Sequence, residues 1–444
     1  MRHKGHKKGY GMENETVQTK SGKVQGTEKD GYTLFAGIPY AAPPTGDNRF
    51  REPQPVKPWD GVLHADHFPD RSIQGDQDAF YTKEFYSDPL YETQQSEDCL
   101  YLNIWVPSKH EGEKLPVAFW IHGGAFLNGY GHEMEFDGEA YCRRGVILVT
   151  INYRLGAYGF LCHPWLVQES AHATGGNYGI LDQICALNWI YDNIAAFGGD
   201  PERITAFGQS AGCMSVHTLV SSTLTGNRIH SAIFQSGSGY RDRFIGGLKQ
   251  KDAEYLGEKF VELSGAKSLQ ELRALTVEEI RTATGKLLAA CPTLPFMPVI
   301  DGYVLTEDYD ELAEEGKVKD IPYLLGTTRN DLLVTEKMLR ENRHSSLYEG
   351  CVNWAQLMDE NPHYHHPAYV YYFDRCLPGD DAGAFHSSEL WYMFGTIGRC
   401  WRPFTAHDRQ LSERMLDAWT GFMKTGNPGW APCTQADPYI EVLS

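Results

Sequence analysis

Ser210 stands in the pentapeptide Gly208-Gln209-Ser210-Ala211-Gly212, between a short apolar run, 204–207, and a segment of helical spacing, 213–219. A serine on a tight strand-to-helix turn presents its hydroxyl clear of the sheet edge, at the positive end of the helix that follows. Bulk two positions to either side would collide in such a turn, which accounts for the two glycines. A hydroxyl is a weak nucleophile at neutral pH and needs a base within hydrogen-bond reach. Among 17 histidines the candidate is His386, in the small-residue loop GDDAGAFHSSEL after the apolar run 369–373. The base in turn needs an acid to fix its tautomer and to stabilise the imidazolium that forms. Asp331 ends LLGTTRND, directly after the apolar run 323–325, and is preferred for that role; its rival Asp301, in PVIDGY, reads as a structural turn. The chemistry open to these residue types is acyl transfer through the serine oxygen. Donors for the oxyanion are the N–H of Ala211 and amides of the loop His122-Gly123-Gly124-Ala125-Phe126, where small residues admit close approach.

Such a constellation has to be held by a sheet. Leu115–Ile121 and 146–151 are short, wholly apolar runs, and 232–234 is a third. Between them, 181–195 places Leu181, Ile184, Cys185, Leu187, Ile190 and Ile194 near helical spacing, and Gly198-Gly199 stop it. Apolar strands alternating with helices predict a mostly parallel sheet covered on both faces, the α/β class. Residues 253–290 are helical and charged and read as an insertion packed over one end of that sheet. The Pro- and Gly-rich stretch before Phe68 forbids long helices and predicts short edge strands.

The bulk composition narrows the function classes. The chain has 444 residues, with 40 Lys plus Arg against 58 Asp plus Glu, a net charge of -18. Phosphate binding needs clustered positive charge, so nucleic acid is not an expected partner. No apolar run reaches the length of a membrane span. The basic N-terminus lacks an apolar core, so 1–14 reads as a disordered tail rather than a secretory signal. The ten cysteines show no zinc-type spacing. His363, His365 and His366 in NPHYHHP read as a chance cluster in a proline-flanked loop, and no phosphate-cradling loop is present. Neither a metal nor a cofactor is expected.

Longer motifs carry a resemblance. FAGIPYAAPP, SEDCLYLNIWVP, WIHGGAF, NYRLGAYGF, GNYGILDQICALNWIYDNIAAFGGDP, ITAFGQSAG and IFQSGS run through nearly the whole chain, with WTGFMKTGNP as a last helix. In these the chain resembles the type-B carboxylesterases, the family of mammalian carboxylesterases, cholinesterases and bacterial para-nitrobenzyl esterases. The resemblance implies an α/β-hydrolase fold in a single catalytic domain over 15–444, and a serine esterase acting on a small-molecule ester without a cofactor. It implies Ser210, Asp331 and His386 as triad, Gly124, Ala125 and Ala211 as oxyanion hole, and Gln209, Ser236 and Glu389 as supporting residues beside them. It also implies a buried ion pair between Arg49 and Glu97.

Four departures from the family pattern shape the expectation. The acid is Asp331 where Glu is usual, so its loop must sit closer to His386. The third oxyanion glycine is Ala125, which still offers its N–H. Ser72 replaces the half-cystine that partners Cys99, so that disulfide cannot form, which favours a cytoplasmic, bacterial protein. Finally, acid and histidine are separated by fewer residues than is usual, which predicts a pocket wide enough for bulky or aromatic, hydroxycinnamate-type esters. Gln209 stands where cholinesterases carry Glu, so choline esters are not expected. The alternatives are hydrolysis of another acyl bond (thioester, carbamate, lactone or activated amide) and a binding module, which the intact triad disfavours.

Overall fold

The computed structural model of the chain describes residues 16–108, 112–242 and 246–444. The tail expected over 1–14 lies outside the described residues. Ten strands form the main sheet. In chain order they are β1 (Thr27–Lys29), β2 (Tyr32–Pro39), β3 (Tyr101–Pro107), β4 (Leu115–Ile121), β5 (Ile147–Ile151), β6 (Gly199–Gln209), β7 (Ser231–Gln235), β8 (Tyr323–Thr328), β9 (Ala368–Phe373) and β10 (Ile440–Leu443). Their order across the sheet is β10-β9-β8-β7-β6-β4-β5-β3-β2-β1. From β5 to β10 every neighbouring pair is parallel, while β1, β2 and β3 join antiparallel. This is the α/β-hydrolase fold.

The pattern that predicted this sheet is explained by its burial. Every residue of β4, β5 and β7 is buried, as strands covered on both faces require. Helix α1 (Ala79–Phe85) lies near the site, α2 (Tyr178–Asn193) covers one face, and α3 (Ala211–Ser221) follows the serine. Helix α2 ends in a short 3-10 turn, and Gly198 takes the left-handed cap at φ 81°. The expected insertion forms α4 (Gln250–Ser264), α5 (Leu269–Ala274) and α6 (Val277–Ala290). The Nε of Arg49 bonds Glu97 at 2.7 Å and its Nη1 reaches the carbonyl of Arg273 at 2.7 Å, so the expected ion pair also ties this insertion to the body.

Two elements depart from the sequence reading. Strand β6 begins at Gly199 rather than at 204, because Gly199 pairs with Leu115 before an irregularity that ends at Ile204. The intervening Asp200, Glu202 and Arg203 are polar, so hydropathy gives no sign of a strand there. Strand β8 likewise continues to Thr328, through buried threonines held by backbone pairing with β9. Among the described residues no helix is long and apolar enough to cross a membrane.

Candidate active site

The order of strands sets the position of the site. The connection that leaves β4 runs to β5 on one side, while the one that leaves β5 crosses back to β6 on the other, and ligands of open α/β sheets bind at the carboxyl ends of strands where the order reverses in this way. The loop after β4 carries Gly123, Gly124 and Ala125, and the turn after β6 carries Ser210. The two meet. A Cβ on Gly123 would come within 3.1 Å of Ser210 Cβ.

Ser210 holds φ 57° and ψ -126°, a conformation that costs a non-glycine residue about 1–3 kcal/mol. The surroundings enforce it. Ser210 N–H donates to the Gln235 carbonyl at 2.9 Å, and its own carbonyl starts α3 by accepting from Met214 N at 3.0 Å. The flanking glycines are required by contact: a Cβ on Gly208 would lie 2.5 Å from the Gly212 carbonyl, and one on Gly212 would lie 2.0 Å from the Ile121 carbonyl. The expected collision is thus partly between the two glycines themselves and partly with β4.

The loop expected to supply the oxyanion donors is strained in the same sense. Gly124 has φ 97°, and a Cβ there would sit 2.1 Å from the Asn128 carbonyl. Ala125 holds φ 55°, in the left-handed region that favours glycine. Both line one cavity of about 290 Å³ together with Ser210 and His386. Ala211 opens α3, where first-turn amides have no intrahelical acceptor.

Asp331 and His386 come together across 55 residues of chain: His386 Nδ1 donates to Asp331 Oδ1 at 2.6 Å. Three further donors fix the carboxylate. Ser236 Oγ and Thr328 N–H donate to Oδ2 at 2.6 and 3.0 Å, and Leu332 N–H donates to Oδ1 at 2.8 Å. Burial would raise this carboxyl, yet the adjacent imidazole and these hydrogen bonds outweigh it and hold Asp331 below the usual aspartate value. With Nδ1–H turned to Asp331, Nε2 faces outward as an acceptor. In this structure the side-chain amide of Gln209 meets it at 3.1 Å. Asp301, the rival acid, accepts the backbone amides of Tyr303, Val304 and Leu305 through Oδ1 and is a turn residue.

Glu389 lies behind the pair, fully buried, accepting from Gln235 Nε2 at 3.3 Å, while Trp419 Nε1 donates to the other end of that amide at 3.2 Å. Burial first, and next the charge of Asp331, push its carboxyl up to about 7 from an ordinary 4.5. The folded state therefore holds this proton more tightly than the unfolded one, and stability falls as pH rises from about 4.5 to about 7. Glutamine cannot ionise and keeps the acceptor for Gln235. The melting temperature of Glu389→Gln relative to wild type is expected to rise between mildly acidic and mildly alkaline buffer, by the equivalent of about 3 kcal/mol at most. Thermal melts of both proteins across that range check it, and a constant difference would contradict it.

Several contributors had no signal in the sequence. Asn330 binds the two loops to each other: its N–H donates to the Ala384 carbonyl at 2.9 Å and its Oδ1 accepts Ala384 N–H at 3.0 Å. Glu133 and Glu135 line the cavity, as do Tyr81 and Phe85 of α1. The histidines of the proline-flanked loop go elsewhere: His365 and His366 both bond Asp320, at 2.8 and 3.0 Å.

Known proteins resemble this chain over most of its length. The profile of the carboxylesterase family matches residues 13–350 and 345–441. The para-nitrobenzyl esterase of Bacillus subtilis (strain 168) is 33% identical, over 94% of this chain and 91% of that protein. Carboxylesterase 4A of Bos taurus is 29% identical, over 96% of this chain and 90% of that protein. Among solved structures, a PNB esterase superimposes with a TM-score of 0.86 at 31% identity, covering 97% of this chain and 96% of that one. A carboxylesterase from Geobacillus stearothermophilus follows at a TM-score of 0.80 and 30% identity, over 96% of each chain.

Proposed function

The chain belongs to the carboxylesterase family and is a carboxylic ester hydrolase, and from that premise we propose that it works through an acyl-enzyme on Ser210. The observation that carries this reading is the convergence on one cavity of Ser210, the Asp331-oriented ring of His386, and the loop of Gly124 and Ala125. Ser210 Oγ attacks the ester carbonyl carbon as its proton passes to His386 Nε2. The carbonyl oxygen takes up the electron pair and is held by the amides of Gly124, Ala125 and Ala211. Collapse of this intermediate breaks the C–O bond, and the alcohol leaves with the proton from His386. Water, giving its proton to the same nitrogen, then hydrolyses the acyl-enzyme and restores Ser210.

Gln209 has a specific part in this sequence. Its amide occupies His386 Nε2 before reaction and has to yield that lone pair to the serine hydroxyl, a bond of the kind that tightens in the substrate complex. Ser236 and Glu389 act through Asp331 rather than on substrate. The chain from residue 15 onward serves as one catalytic domain, with 253–290 as part of its walls.

The pocket accepts bulky acyl or alcohol groups, hydroxycinnamate-type esters included. Support comes from its walls: of residues 331–386, only Leu332 and His386 line the catalytic cavity. A second cavity of about 330 Å³, lined by Leu127, Tyr158, Ile280 and Leu288, shares Asn128 with the first and offers apolar room beyond it. The mechanism is tested by incubation with a fluorophosphonate probe followed by peptide mass spectrometry. The expected result is a single adduct on the peptide carrying Ser210. Labelling elsewhere, with turnover retained, would remove Ser210 from its role.

A further inference from the structure

The catalytic cavity holds a feature that ester hydrolysis does not use. Glu133 and Glu135 lie on its wall, 5% and 1% exposed, and no lysine or arginine lines it. The two carboxyls are close enough to hydrogen-bond each other. Glu133 Oε1 accepts the Tyr130 amide at 2.9 Å and its carboxyl also takes the Tyr86 hydroxyl; the Glu135 carboxyl accepts its own backbone N–H, and its Oε2 alone is buried without a donor among the described residues. The rings of Tyr81, Phe85, Tyr86 and Phe136 complete that side of the cavity.

Resting on the ester-hydrolase reading, we infer that Glu133 and Glu135 select the substrate, an ester whose acyl or alcohol part carries a primary ammonium group. The Glu135 oxygen left without a donor asks for an N–H group, and the pair, whose nearest positive charges Arg71 and Arg399 stand outside the cavity, leaves its cavity side open to a further positive charge. A primary ammonium brings three N–H donors and a charge on one compact group, and aromatic faces favour it further. Burial pushes the Glu133 carboxyl up to about 7, and burial with the charge of Glu133 raises Glu135 well above its ordinary value. Like charges this close cannot both ionise unaided. A bound cation lets the pair give up its shared proton. An anionic ester meets repulsion instead. A quaternary ammonium has no N–H to offer, so this preference is distinct from one for choline esters, which the neutral Gln209 already disfavours.

The test uses matched para-nitrophenyl and alkyl esters whose free end, on the acyl or the alcohol side, is ammonium, hydroxyl, methyl or carboxylate. In mildly alkaline buffer, where the amine stays protonated, kcat/KM should be highest for ammonium and lowest for carboxylate. Preference for ammonium over methyl should be about 10- to 100-fold, the range of hydrogen bonds to charged groups, and should collapse in Glu135→Gln and in Glu133→Gln. A hydroxyl end that gains as much as ammonium, or a preference surviving both substitutions, overturns the inference. Calorimetry of wild-type protein with n-butylammonium in buffers of different ionisation enthalpy is independent of how the variants fold. Proton release on binding, absent with n-butanol, is expected, and binding without it or no binding overturns the inference. Turnover of the methyl-ended ester reports the hydrolytic reading alone, so hydrolysis without charge preference defeats only this assignment.

Discussion

Ser210→Ala is expected to lower kcat by on the order of a million-fold while the protein stays folded, because the residues of such a triad act as one unit. The argument for an intact fold is local. Alanine keeps the Cβ and leaves untouched the N–H bond to Gln235 and the carbonyl bond from Met214 that hold the turn. The strained φ of 57° is imposed by those contacts and by the packed glycines, not by the hydroxyl. What the substitution removes is the oxygen proposed to form the acyl bond. Rates on a para-nitrophenyl ester, with a thermal melt of the same preparation, check both halves. Residual turnover within about a hundredfold of wild type would place the nucleophile elsewhere.

Asp331→Asn is expected to cost about 10⁴-fold in kcat, the scale of a wrong histidine tautomer. The donors around the carboxylate dictate the outcome. Ser236 Oγ–H and Thr328 N–H both point at Oδ2, so the carbonyl of an asparagine must take that side. Its NH₂ then faces His386 Nδ1, which has to become the acceptor, and the ring proton moves to Nε2. The nitrogen that should receive the serine proton is already protonated. The same NH₂ also faces the Leu332 amide, which now lacks an acceptor, so a lower melting temperature accompanies the loss. A variant with near-normal turnover would show that another group orients His386.

The parts of this protein legible in its sequence are those governed by neighbours in the chain. The run 115–121 forms β4 with the bounds that its hydropathy predicts, because every one of its residues is buried. Gly208 and Gly212 announce the turn at Ser210, because the clash they avoid lies within five residues and one adjacent strand. Asp331 and His386 are marked by the loops they occupy after apolar runs and by the family resemblance, and they meet at 2.6 Å. The opening of β6 before 204 is not legible in the sequence, because polar residues join the sheet there through backbone pairing that carries no hydropathy signal.

The contents of the cavity were decided only by the tertiary structure. Tyr81, Glu133, Gln209 and His386 come from four separate segments and meet because the sheet order puts the ends of their connections on one edge. Glu133 and Glu135 read as ordinary acidic residues in GYGHEMEF, since nothing in that segment tells that both are nearly inaccessible to water. The asparagine tie at Asn330 and the Gln209 amide on His386 are hidden for the same reason. The sequence by itself determined that a serine would be presented on a strained turn, because that depends on steric contacts within a few residues. What the serine faces depends on distances between segments up to hundreds of residues apart, which only the closed, packed chain sets.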